Sequence, residues 1–158
     1  MNKSLEYYSC HQIREGFVIS RSNEICCCCK NYDKETVITR LPDNPSQKDY
    51  KELIPKIINF QLNLIESHKK DLLPNICREC PELCKKQWKE DFSFTWILLA
   101  HFKNCNLRCP HCTFLTSDKR EINTPDSVAI SLVKYIYDNY ADKQLFNICI
   151  GGGNHQLI

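Results

Sequence analysis

The chain has 158 residues, 42% hydrophobic and 25% charged, with twelve cysteines, four glycines and a formal net charge of +2. That length suits one ordinary domain or two small ones. Acidic and basic residues are interspersed without the basic stripe that neutralises phosphates, so no nucleic-acid role is expected. No apolar run approaches the roughly 20 residues of a membrane span, so no membrane role is expected either.

The start, Met1-Asn-Lys-Ser-Leu-Glu-Tyr-Tyr-Ser-Cys10, lacks the apolar stretch and small-residue cleavage site of a secretory signal, and a cytoplasmic location is expected. Cysteines kept reduced in that compartment serve as metal ligands more readily than as disulfides. Eight of the twelve precede residue 92: Cys10, the run Cys26, Cys27, Cys28 and Cys29, then Cys77, Cys80 and Cys84.

In chain order, Gly16 to Cys26 reads as two short strands joined by a polar turn at Arg21 to Asn23, with Cys26 to Cys29 at the end of the second. Extended residues alternate faces, so two of the four are expected to point at one metal centre, and the spacing does not say which two. A helix follows, N-capped by Ser46, with Tyr50, Leu53, Ile54, Ile57, Gln61, Leu64 and His68 as its inner stripe and Pro55 as a start or a kink. His11 and His101 lie near cysteines without paired spacing and read as solvated or capping residues.

Phe92 to Leu99 reads as a strand buried on both faces, and 101 to 123 as a loop. A helix then starts near Pro125 and Asp126, with Ala129, Leu132, Val133, Ile136 and Tyr140 at helical spacing; Phe146 to Ile150 reads as a second buried strand. Strand, loop, helix and strand make a βαβ unit with parallel strands, so the fold class is α/β.

Cys105-Asn-Leu-Arg-Cys109-Pro-His-Cys112 lies on the loop after the first of those strands, where α/β folds place their sites. Three thiolates at this spacing hold one corner of a cubane cluster and leave one metal position open, whereas zinc sites normally close with four protein ligands. The motif resembles the radical S-adenosylmethionine (radical SAM) enzymes, with His111 at the place where an aromatic residue usually precedes the third cysteine. The resemblance implies that Cys105, Cys109 and Cys112 hold three irons of a [4Fe-4S] cluster whose fourth iron is chelated by S-adenosylmethionine. It further implies reductive cleavage of that cofactor to a 5′-deoxyadenosyl radical.

Gly151, Gly152 and Gly153 follow the second strand, where the family has a Gly-Gly-Glu segment whose backbone approaches the cofactor's amino group. The chain departs from the pattern after them, reading Asn154-His155-Gln156. The fold implied is the first βαβ unit of a radical SAM barrel over 92 to 158, preceded over 1 to 91 by a small α+β cysteine-rich metal-binding segment.

That first segment resembles the auxiliary-cluster modules called SPASM or twitch domains, with Cys10, members of Cys26 to Cys29, Cys77, Cys80 and Cys84 as the matching ligands. Its expected cofactor is an auxiliary [4Fe-4S] cluster or zinc, since Cys77-x2-Cys80 is equally a zinc knuckle. The family's catalytic barrel needs about six βα units, so this chain is expected to be an incomplete form, inactive alone. The substrate is not legible; relatives with such modules act on peptides or other large molecules. The alternative class is a non-catalytic protein holding zinc or a cluster.

Overall fold

The computed structural model describes residues 6–20, 23–28, 36–88, 94–100, 125–141 and 144–150. They form a mixed α/β structure with two sheets, and no closed barrel is present among them. No helix among the described residues is long and apolar enough to cross a membrane.

The expected hairpin forms from β2 (Gly16–Ile19) and β3 (Glu24–Cys26), which pair antiparallel through Val18↔Cys26 and Ile19↔Ile25. Asn23 supports the turn with φ 60, a left-handed conformation that asparagine tolerates, and its side-chain amide donates to the Pro42 carbonyl and to Asp43. A third strand, β4 (Val37–Arg40), extends the hairpin against β3, with a register shift between Ile25 and Cys26.

The long helix α2 (Gln47–Lys69) begins where Ser46 and Asp49 cap one another reciprocally. It runs through Pro55, so a start at that residue is corrected: the helix begins two turns earlier, at Gln47. Pro55 lies on the exposed side, where water can reach the carbonyl deprived of its donor. Its buried stripe is Tyr50, Leu53, Ile54, Ile57, Gln61, Ile65 and His68, with Ile65 in place of the expected Leu64. Removing the cap oxygen with Ser46→Ala should destabilise the protein by about 1 kcal/mol. Urea denaturation would measure it, and an unchanged midpoint would show that the cap contributes nothing.

The βαβ unit consists of β6 (Trp96–Leu99), α4 (Asp126–Asn139) and β7 (Asn147–Ile150). The two strands are parallel as expected, in the register Trp96↔Asn147 to Leu99↔Ile150. Val128, Ala129, Leu132, Val133 and Ile136 form the buried face of α4, while Tyr140, expected there, is the exposed C-cap. One expectation is corrected: β7 is not a buried strand. It ends the sheet order, with Asn147 and Cys149 exposed and Ile148 47% exposed, because no described strand covers its outer side.

Unforeseen from the sequence, β2 pairs in parallel with β6, from Gly16↔Trp96 to Ile19↔Leu99. One five-stranded sheet, ordered β4-β3-β2-β6-β7, therefore includes strands from both sides of residue 91. Helices α2 and α4 share one face of it: Leu53, Ile54, Ile57, Leu132 and Ile136 form a core with Phe17, Ile19, Ile25, Ile97 and Leu99. The opposite face carries Val18, Cys26 and Ala100, with Trp96 and Leu98 half-buried.

Two short strands form the other sheet, and two short helices accompany it. β1 (Glu6–Ser9) pairs antiparallel with β5 (Cys84–Gln87), from Glu6↔Gln87 to Ser9↔Cys84. The helix α1 (His11–Glu15) leads from β1 into β2, and α3 (Asn75–Arg78) follows α2. Exposed His11 pairs with Glu15 at 2.7 Å and stacks edge-on against Trp88, in keeping with the solvated role expected of it.

Candidate metal centre

Two local structures set the cysteines between α1 and the C-terminal half of α2. Cys10 is the N-cap residue of α1, at the end of β1. Cys77 and Cys80 occupy successive turns, with the Cys77 amide donating to the Pro74 carbonyl and the Cys80 amide to the Cys77 carbonyl. Such a knuckle turns two thiols three residues apart toward one point. Cys10 and Cys77 are buried in one small core with Tyr7, Ile13 and Ile65.

The Cys26 to Cys29 run approaches from the hairpin. Cys26, the last residue of β3, faces away from the helices and packs with Val18 and Ala100. The next residue, buried Cys27, donates its amide to the Thr36 carbonyl, and half-buried Cys28 follows.

Electrostatic coupling relates the thiols to one another. Burial pushes the Cys10 thiol up to about 12, and negative charge at Cys28, Cys77 and Cys80 would push in the same direction; the Ile13 amide opposes it. Cys77 is pushed up to about 11 by burial, then by Cys28 and Cys80. Cys27 is raised by burial, then by Cys28, Cys26 and Cys77. Cys26 is pushed up to about 12 by burial, with Glu24 and Cys28 as its charged neighbours and neither Cys10 nor Cys77 among them.

Cys10, Cys27 and Cys77, with Cys28 and Cys80 beside them, thus share one neighbourhood, and burial keeps the protons on the first three. Charges act over longer distances than a metal–sulfur bond spans. Among the described residues no three His, Cys, Asp or Glu groups are already drawn together closely enough to hold an ion. The donor set nonetheless fits a soft metal, because binding one would replace the protons and cancel the repulsion.

The remaining candidates separate. Cys84, opposite Ser9 at the start of β5, is exposed, and so is Cys149 on β7. Cys29, Cys105, Cys109, Cys112, His101, His111, Gly151, Gly152 and Gly153 lie outside the described residues. The strands leading to the last two motifs are described, however. Leu99, six positions before Cys105, is paired with Ile150, the residue before Gly151, so the chain departs toward both from the same end of the sheet.

Sequence reading placed the polar Gln61 and His68 on the inner stripe of α2, where both are buried, but did not foresee what they bond. Gln61 donates to the Gly16 carbonyl at 2.6 Å, and the His68 ring lies 3.3 Å from the Ser9 hydroxyl. Burial lowers the His68 pKa from its ordinary value, so the ring is neutral at pH 7. Both sit on the helical stripe; nothing in their spacing distinguishes them from core positions. An open cleft of about 580 Å³ near the start of α2, lined by Tyr50, Lys51, Ser131, Lys134 and Tyr135, includes none of the cysteines. No family model, curated protein or solved structure matches the chain.

Proposed function

We propose that this chain is a radical SAM iron–sulfur protein with an auxiliary cysteine centre. The observation that carries the reading is Cys105-x3-Cys109-x2-Cys112 following a parallel strand whose neighbour leads, in register, to Gly151-Gly152-Gly153. Loops at the C-terminal ends of parallel strands are where α/β sheets bind ligands. A three-thiolate set suits a [4Fe-4S] cluster with one open iron, and glycines on the adjacent strand let a backbone approach an amino-acid moiety closely.

In this reading Cys105, Cys109 and Cys112 hold the cluster. His111 and the three glycines face S-adenosylmethionine. When bound, the cluster supplies the electron for reductive cleavage of that cofactor. Cys10, Cys27, Cys28, Cys77 and Cys80 form the auxiliary centre, an iron–sulfur cluster by the same thiolate chemistry. The protein acts in the cytoplasm on a peptide or other large substrate.

Anaerobic reconstitution with iron and sulfide tests this. Cys105→Ala, Cys109→Ala and Cys112→Ala together should remove about four irons per chain, as the ligand logic of a cubane site requires. In the parent, S-adenosylmethionine should change the EPR signal of the reduced cluster. Unchanged iron content in the triple variant would refute the cluster assignment, and an unchanged EPR signal in the parent would refute the cofactor. A second reading, a non-catalytic zinc protein, is favoured by the Cys77-x2-Cys80 knuckle; zinc in place of iron after purification would support it.

A further inference from the structure

The inner stripe of α2 ends in His68, which is 1% exposed. Its Nδ1 meets the Ser9 hydroxyl, while Nε2 has no hydrogen-bond partner among the described residues. A buried polar atom left unpaired carries a desolvation cost. An apolar residue would fill the position without that cost, so the imidazole calls for an account beyond packing.

Its surroundings supply one. Ile65, one turn earlier on the same stripe, packs against Tyr7, Cys10, Ile13 and Cys77. Ser9, which holds the ring, immediately precedes Cys10. His68 thus borders the cysteine pocket from the α2 side.

We propose that His68 is a positioning residue of the cysteine centre, whose Nε2–H donates a hydrogen bond to a thiolate sulfur once metal is bound. This rests on reading Cys10, Cys27, Cys28, Cys77 and Cys80 as a metal centre. Five thiols already exceed the four ligand positions of a cubane or a zinc ion, so the ring is not needed as a ligand. The deprotonated sulfurs are acceptors in search of donors. In the tautomer that has the Ser9 hydroxyl donating to Nδ1, the neutral ring carries its proton on Nε2 and supplies one. Groups in this outer position fix the geometry of ligands and tune the metal they hold.

The test uses the full chain carrying Cys105→Ala, Cys109→Ala and Cys112→Ala, so that the loop motif is silent. Cobalt(II) alone is titrated anaerobically and followed by its thiolate-to-metal charge-transfer band. His68→Leu should weaken cobalt binding by about 10–100-fold, the range for loss of an outer-shell partner, and should shift the band. His68→Gln, which retains an N–H donor, should recover most of the affinity.

Equal cobalt affinity in His68→Leu and its parent would overturn the inference and leave the metal centre standing. Equal weakening by Leu and Gln would overturn it in favour of a packing role. Absence of a charge-transfer band in the parent would overturn the metal centre and the inference together.

Discussion

Gly16→Ala should destabilise the chain by about 3 kcal/mol, the upper end of the range for a forced methyl group. A Cβ at this position would fall well inside contact distance of the Trp96 carbonyl and indole ring. The backbone of Gly16 is extended, so conformation is not the obstacle. The obstacle is the close parallel approach of β2 to β6, which begins at the Gly16↔Trp96 pair. The Trp96 carbonyl is backbone and cannot swing aside, so the strands must separate at the point where Gln61 also pins α2 to the Gly16 carbonyl. Urea denaturation followed by circular dichroism would show the loss as a lower midpoint. A midpoint unchanged within error would mean that β2 does not lie against β6.

The second large effect concerns metal. In the chain with Cys105, Cys109 and Cys112 replaced by alanine, Cys10→Ala or Cys77→Ala should reduce cobalt affinity by about 100-fold or more, since each removes a deeply placed thiolate of the centre. Cys84→Ala and Cys149→Ala should bind as the parent does, because both residues are exposed. Cys26→Ala belongs with these two, as its side chain lies on the opposite face of the sheet from the helices. Identical affinities across all five variants would show that no such centre exists. A loss confined to Cys84→Ala would relocate it to the β1–β5 edge.

The long helix was legible because a 3.6-residue stripe of 23 residues, begun by a serine with an acid three places on, leaves little choice. The hairpin and the βαβ unit were legible from apolar runs bounded by polar turns. The β2–β6 pairing was not: both are short and apolar, and nothing in either run names its neighbour across eighty positions. β1 and β5, Glu-Tyr-Tyr-Ser and Cys-Lys-Lys-Gln, lack the alternation that would mark both as strands and acquire it only by pairing.

At the site, cysteine spacing was enough to group Cys10 with the hairpin run and the Cys77-x2-Cys80 turn as a working hypothesis. It could not select within Cys26 to Cys29, since four consecutive cysteines offer no spacing that favours one over another. His68 was counted as core, because a helical stripe reports which side of a residue is inward and not whether its ring nitrogens are satisfied.

The parallel pairing of β2 with β6 also orders events in time. During synthesis, Gly16 emerges eighty residues ahead of Trp96, an interval of about 4–16 s at about 5–20 residues per second. Throughout it Phe17, Val18 and Ile19 lack the strand that will cover one side of them, while Cys10, the Cys26 run and, later, Cys77 and Cys80 are already outside the ribosome. A nascent chain in that state has reactive thiols and an uncovered apolar edge together, the conditions for mispairing. If the thiols hold metal as proposed, its early capture would gather α1, the hairpin and the end of α2 before the sheet exists, and metal supply during translation would then influence how much chain reaches the folded state.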